Sequence, residues 1–212
     1  MWIAKIISNK LLSFLFPINC FSCKAEQIVL RDNCIKQFTR SVDSPFIWVH
    51  THYSFKNEEI KKIIYAIKYY HRKDLIQPLI SSILTKKLKE EISLYKNPLI
   101  IPIPMSNLRK YLRGYNHSDL IATEFSRQLN IPYEKNILFK SHSTTQQAKI
   151  KLRNERIQNP KKSFYVKKDN RFLNKHIILI DDVTTTGSTL LEAYNTLQKS
   201  GFKNISAICI AH

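Results

Sequence analysis

Apolar residues recur at helical spacing in the first half of the chain and gather into short continuous runs in the second. From Glu58, Ile60, Ile63, Ile64 and Ile67 share one face with lysines on the other, which predicts a helix over 58–70. A second helix is predicted from about Asp74 to Leu94, lined by Leu75, Leu79, Ile83 and Leu88 and broadened by Ile76, Ile80 and Leu84. Residues 2–16 predict a short helix, amphipathic or buried, stopped by Pro17, and residues 17–45 an irregular appendage. The run Leu99–Pro104 reads as a strand whose prolines confine it to an end or a bend. Residues 105–115 read as a basic loop, after which Asn116 or Ser118 caps a helix through about Leu129. Residues 137–165 are polar and basic, with a helix-prone patch at 146–157. Ile177–Ile180 is β-branched and lacks polar alternation, as in a strand buried on both faces. A helix from Ser188 to about Ser200, with Gly201 as its left-handed stop, leads to a last apolar strand, Ile205–Ile210. Strands alternating with helices from residue 99 onward predict an α/β fold, a parallel sheet with helices on its faces, without internal repeats.

The run Ile177–Ile180 ends in two carboxylates, Asp181 and Asp182, at the end of a strand where open α/β sheets place their ligands. Thr184, Thr185, Thr186, Ser188 and Thr189 then offer hydroxyls around Gly187, which permits a tight turn and a close approach to an anion. The helix starting near Ser188 aims free N–H groups at the same spot. Acids that accept from sugar hydroxyls, beside a turn that donates to a phosphate, suit a phosphorylated sugar. The alternative for the acids is a helix cap or a surface turn.

Composition changes this picture in three places. Three glycines stand where average usage of about 7% would give about 15. They sit at punctuation points, Gly114, Gly187 and Gly201. The net charge of +18 attracts phosphates, nucleic acid or anionic lipid, or reflects a lysine-rich compositional bias. The charge is spread over the chain, and no stretch is long enough to span a bilayer. Of the four cysteines, Cys20, Cys23 and Cys34 lie near the N-terminus and Cys209 in an apolar strand, where it reads as core. Without a convincing export signal, a reducing cytoplasm is expected. The seven histidines are scattered without ligand spacing and read mostly as surface residues.

These residues carry a resemblance. Ile-Leu-Ile-Asp-Asp-Val-Thr-Thr-Thr-Gly-Ser-Thr, residues 178–189, resembles the phosphoribosyl pyrophosphate (PRPP) signature of type I phosphoribosyltransferases. Pro102-Ile103-Pro104 with Arg113-Gly114-Tyr115-Asn116 is similar to the ComF-like branch, which is linked to competence and DNA uptake. So are Gln146 with Arg153 and Asn154, the N-terminal Leu11–Phe16, Pro17 and Cys20-Phe-Ser-Cys23, and Lys68 in Ala-Ile-Lys-Tyr-Tyr. The resemblance covers nearly the whole chain. It implies a type I phosphoribosyltransferase-like parallel sheet flanked by helices, with a small N-terminal cysteine-containing appendage. Residues 1–45 would form an N-terminal helix and a degenerate zinc-ribbon-like segment, and residues 46–212 the phosphoribosyltransferase-like domain.

By that resemblance the ligand is PRPP, with Mg²⁺ on its pyrophosphate and ribose oxygens. Asp181 and Asp182 serve the ribose and the reaction centre. Thr184, Thr185, Thr186, Gly187, Ser188 and Thr189 bind the 5-phosphate. Arg109, Arg113 and Gly114 form a pyrophosphate clamp, or else part of a solvated basic loop. Lys149, Arg153 and Asn154 belong to a hood over PRPP, or to an exposed basic helix. Lys68 faces phosphate or is one more solvated lysine. Family members carry paired cysteines that bind zinc, but the position three residues beyond Cys34 is Gln37, so Cys20, Cys23 and Cys34 are an incomplete zinc set or a decayed finger. The functional expectation is transfer of a phosphoribosyl group to an unidentified acceptor, in association with competence and DNA uptake. The alternatives are a non-catalytic accessory protein that handles single-stranded DNA, partnered by DNA-uptake proteins, or a PRPP-sensing regulator.

Overall fold

The computed structural model describes residues 18–41, 43–141, 163–167 and 169–212. The expected helix over 2–16, the patch at 146–157 and the hood residues Lys149, Arg153 and Asn154 lie outside them. Four parallel strands form the sheet: β1 (Val49–Tyr53), β2 (Pro98–Pro102), β5 (His176–Val183) and β6 (Asn204–Ala211). Their order is β1-β6-β5-β2. β5 is therefore hydrogen-bonded on both sides, and Ile177, Ile178, Leu179 and Ile180 have no exposed surface. A strand buried on both faces needs this continuous apolar run, which is why its sequence lacks alternation.

Alternate residues of β5 feed two cores. Ile178 and Ile180 pack with Ile100, Ile208 and Ile210 under α1 (Glu58–Tyr69), α2 (Ile76–Ile83), α3 (Lys86–Ser93) and α5 (His117–Leu129). Ile177 and Leu179 pack on the other face with Leu99, Ile101, Ala207 and Cys209, under α6 (Ser188–Lys199). Leu138 of β3 (Leu138–Lys140) and Phe164 of β4 (Phe164–Val166), a small antiparallel pair, close that second core. Leu30, Ile35 and Phe38, from the cysteine-containing segment, join the first core beside Tyr53 and Ile60.

The helices start where the sequence supplies caps. The Asn57 side chain accepts from the Ile60 N–H at 3.0 Å, and Glu58 and Glu59 favour the positive end of α1. The single helix expected over 74–94 is broken in two. Leu84 leaves helical geometry at ψ 63°, and the Thr85 hydroxyl accepts from the Leu88 N–H to start α3. The basic loop expected over 105–115 is instead largely α4 (Asn107–Arg113). Ser106 caps it by accepting from the Arg109 N–H at 3.4 Å, and Gly114 ends it at φ +78°. Residues 138–140 and 164–166 are strands, at the two ends of the stretch 137–165 whose sequence reads only as polar and basic with a helix-prone patch. Both prolines of β2 sit at its ends on a sheet edge, as expected of strand prolines.

The topology makes a crevice. The chain leaves β2 to reach α5 on the first face, and leaves β5 to reach α6 on the opposite face. Crossovers that depart to opposite sides open a cleft at the carboxyl ends of the two strands. The connections flanking it are residues 103–116 and the hydroxyl turn 184–187.

Gly187 anchors that turn. Its φ is +73°, and a Cβ placed there would lie 2.5 Å from Phe46 Cε2 and 2.9 Å from Pro45 Cβ. Gly114 is also left-handed, but a Cβ there meets open space. Gly187→Ala should therefore lose about 2–4 kcal/mol, from backbone strain plus overpacking. Gly114→Ala should lose only about 1 kcal/mol, from strain alone. Urea denaturation of the two variants checks the difference, and equal losses would contradict it.

Candidate functional site

The two acids diverge because adjacent strand residues point to opposite faces. Asp182 turns toward α1 and is 9% exposed. Its Oδ2 lies 2.8 Å from Lys68 Nζ, in the last turn of α1. Ile64, Ile67, Ile121, Ile210 and His117 line the same small pocket. Asp181 Oδ1 accepts two hydrogen bonds, from the Ser118 hydroxyl and from the Asp182 N–H, each at 2.9 Å. Burial, reinforced by the negative charge of Asp182, pushes the Asp181 carboxyl up to about 7, against these donors and Lys68. Burial and the same two acids push the neighbouring Cys209 thiol well above its usual range.

The other flank is built by the start of α5. His117 is 2% exposed and accepts from Arg113 Nη1 at Nε2, 3.1 Å away. The guanidinium carries no lone pair, so the ring proton resides on Nδ1, which has no hydrogen-bond partner among the described residues. Burial pulls the His117 pKa down to about 4, against the pull of Asp182, with Lys68 and Arg113 adding to the fall. Arg113 is held further by the Tyr69 hydroxyl, 2.8 Å from Nη2, and lies over the Tyr69 ring at 4.8 Å. Asn116 holds the N-cap position of α5, as expected, but its side chain makes no capping bond and instead donates from Nδ2 to the Ile103 carbonyl at 3.1 Å, tying the two ends of the first loop together.

In the hydroxyl turn, Thr184 is buried, and its N–H donates to the Ala211 carbonyl at 3.0 Å. Thr185, Thr186, Ser188 and Thr189 are exposed. The Thr186 hydroxyl lies 3.1 Å from that of Ser188. The Thr186 hydroxyl accepts from the Ser188 N–H at 3.4 Å, and the N-cap residue Gly187 has no side chain to cap α6, which leaves the next N–H groups without a side-chain partner among the described residues. The Cβ direction of Gly187 is filled by Phe46 and Pro45, so this glycine is required by packing as well as by its backbone angle.

The fold thus brings Lys68 and His117 to Asp182, Ser118 to Asp181 and Arg113 to His117, while the turn 184–189 follows the acids along the chain. Arg109 is exposed on α4, away from these contacts, and Gly114 is the exposed stop of that helix. Sequence reasoning missed His117 and Ser118 as site residues, although both sit in the first turn of the helix that enters the cleft. The histidines are also less superficial than expected. Of the six described, His71 alone is exposed.

Cys20, Cys23 and Cys34 converge, with their sulfurs all within 4.8 Å of one another. Cys20 Sγ and Cys34 Sγ are 3.9 Å apart, close to the roughly 3.8 Å edge of a tetrahedron of thiolates about zinc. Among the described residues no fourth ligand joins them, so three thiols do not complete a structural zinc set. Burial raises the Cys20 thiol, but backbone N–H donors from Cys23, Arg31 and Ser22 outweigh it and bring the thiol down to about 7. Burial and the neighbouring thiols push Cys34 up to about 11.

Two opposed pH effects follow. His117, and likewise His52 under burial and the charge of Arg40, titrates near 4 folded and 6.5 unfolded. Their stabilisation is present above 6.5 and lost as pH falls toward 4. Asp181 does the reverse, because its folded pKa is raised. Its contribution is full below about 4 and lost as pH rises through about 7. Asp181→Asn should therefore gain stability more steeply than the native chain between pH 4.5 and 6.5, and His117→Gln less steeply. Urea midpoints across that range check this, and parallel curves for all three proteins would contradict it.

No protein-family model matches the chain. Among curated proteins it is 39% identical over 107 residues to competence protein F of Haemophilus influenzae, covering 50% of this chain and 46% of that protein. It is 26% identical over 153 residues to the DNA utilization protein YhgH of Escherichia coli K12, covering 71% and 66% of the two chains. It is 26% identical over 192 residues to competence protein ComFC of Bacillus subtilis, covering 86% and 67%. The chain thus spans about half the length of the first of these relatives and about two thirds of the others. The α/β sheet, its N-terminal cysteine cluster and the similarity to these three relatives support a ComF-like family.

Proposed function

We propose that this protein binds PRPP and transfers its phosphoribosyl group to an unidentified acceptor, in a role associated with competence and DNA uptake. The observation that carries this reading is the acid pair at the carboxyl end of β5, followed after Val183 and the buried Thr184 by the exposed hydroxyls of Thr185, Thr186, Ser188 and Thr189 at the start of α6. The carboxyl groups of Asp181 and Asp182 accept from the 2- and 3-hydroxyls of a ribose. The hydroxyls of Thr185, Thr186, Ser188 and Thr189, with the first N–H groups of α6, donate to its 5-phosphate. Hydrogen bonds to an anion are charge-assisted and stronger than neutral ones. Arg113, fixed by His117 and Tyr69, presents its remaining N–H groups from the opposite loop and suits the pyrophosphate.

Transfer at the anomeric carbon develops positive charge on the sugar, which a neighbouring carboxylate stabilises. Mg²⁺, when bound, neutralises the departing pyrophosphate. It fits this chain as a passenger on PRPP oxygens, because among the described residues no oxygen-rich ligand group forms a cage and Asp182 is already paired with Lys68. A regulator that senses PRPP would bind it the same way without turnover.

A second reading, a non-catalytic handler of single-stranded DNA, is favoured by one surface. Tyr65, Tyr69 and Tyr70 on or beside α1 and Tyr111 on α4 are 45–86% exposed, with Arg113 stacked on Tyr69, on a chain of net charge +18. Exposed rings among cations suit base stacking and backbone attraction.

Isothermal titration should give saturable PRPP binding in the presence of Mg²⁺. Asp181→Asn combined with Asp182→Asn should abolish it while circular dichroism stays native. No heat of binding for the native protein would refute the reading. For the second reading, fluorescence anisotropy with a labelled DNA oligomer should show salt-sensitive binding that Tyr65→Ala with Tyr69→Ala weakens about tenfold or more. Unchanged anisotropy at low salt would remove it.

A further inference from the structure

We propose that Lys68 is the resident cation of the acid pair. Its ammonium satisfies the charge of Asp182 that a divalent ion would otherwise claim, and so reserves the two carboxyl groups for an uncharged vicinal diol. The inference deepens the sugar-phosphate reading and rests on it for the diol.

The geometry is specific. Lys68 occupies the last turn of α1, where the carbonyl end of the helix favours a cation. Ile64, Ile67, Ile121 and Ile210 wall the pocket into which its stem and Asp182 extend. The side chains of the ion pair are only 22% and 13% exposed, so water screens their attraction less than it would on the surface. The ammonium does more than neutralise. It keeps two N–H bonds beyond the one to Asp182, and so can donate to a sugar oxygen that Asp182 also contacts.

The remaining groups around the acids turn away a free metal ion. A divalent cation of the magnesium type asks for a near-octahedral set of oxygens. Here one oxygen of Asp182 is engaged by an ammonium. One oxygen of Asp181 is engaged by the Ser118 hydroxyl and the Asp182 N–H. The next side chain is the neutral ring of His117, backed by the Arg113 guanidinium at 3.1 Å. One fixed positive charge, Lys68, therefore stands on the carboxyl pair, and a second, Arg113, on the histidine that lines the same pocket. A bare dication gains little in such surroundings, whereas a diol brings no charge and finds both donors and acceptors. Lys68 is thus a positioning and specificity residue, acting through Asp182.

The test is a manganese titration of the full chain without PRPP, with free Mn²⁺ followed by electron paramagnetic resonance. The native protein should show no saturable site at millimolar Mn²⁺. Lys68→Met, and Lys68→Gln as a variant that keeps a donor to Asp182, should each gain a saturable site at least about tenfold tighter than any in the native chain. Adding Asp182→Asn should erase the gain, and Lys68→Arg, which retains the cation, should behave as native. Folded Lys68→Met and Lys68→Gln proteins that gain no site would overturn the proposal. So would a native Mn²⁺ site abolished by Asp182→Asn, a result read on the unmutated Lys68 whether or not the other variants fold. The two readings fail separately. Native protein that ignores PRPP, with Mn²⁺ gained by the Lys68 variants, removes the transferase and leaves Lys68 as the resident cation. PRPP binding by the native chain without any gain of Mn²⁺ does the opposite.

Discussion

Two adjacent carboxyl groups at the end of a strand buried on both faces must each find compensation, and the cleft is organised around that requirement. β5 is the inner strand that carries the apolar run, so its end cannot retreat to the surface. Asp182 is answered by the ammonium of Lys68, delivered by α1. Asp181 is answered by a hydroxyl and a backbone N–H and holds its proton toward neutrality. Leaving either acid alone in these surroundings would cost several kcal/mol, by the general expense of burying an unpaired charge. The positions of α1 and α5 over the same face of the sheet are therefore coupled to the chemistry at its edge.

That coupling extends outward through a short chain of contacts. His117 starts α5, faces the acid pair and receives a hydrogen bond from Arg113. Arg113 ends α4 and is gripped by Tyr69 on α1. The cation of Arg113 is thus held by groups from two other helices. On the opposite side, the turn after β5 is pinned from beneath by Phe46 and Pro45 against Gly187. Both walls of the cleft are shaped before any ligand enters.

Much of this could be read from the residues. The run Ile177–Ile180 announced a central strand because nothing else tolerates four consecutive large apolar side chains ending in two acids. The flanking helices at 58–69 and 188–199 carried clean periodicity and punctuation. Other elements hid for physical reasons. β1, Val-His-Thr-His-Tyr, is a half-buried edge strand with polar residues that blur its alternation. α4 was obscured because Asn-Leu-Arg-Lys-Tyr-Leu-Arg leaves Tyr111 and Leu112 in solvent, so no apolar face betrays it. Ser106 before it and Gly114 after it were the available signals. The break at Leu84 lay inside an unbroken apolar pattern, and only Thr85 marked it. The partnership of Lys68 with Asp182 spans 114 residues of sequence and becomes visible only when the helix lies on the sheet.

The central claim is that the acid pair and the hydroxyl turn form one receptor for a phosphorylated pentose. It is tested most directly by following backbone amide resonances of the ¹⁵N-labelled protein as ribose 5-phosphate is added. The account predicts saturating shifts concentrated at Thr185–Leu190 and at Asp181 and Asp182, reduced by Asp182→Asn. Shifts confined to other regions of the chain, with these residues silent, would contradict it.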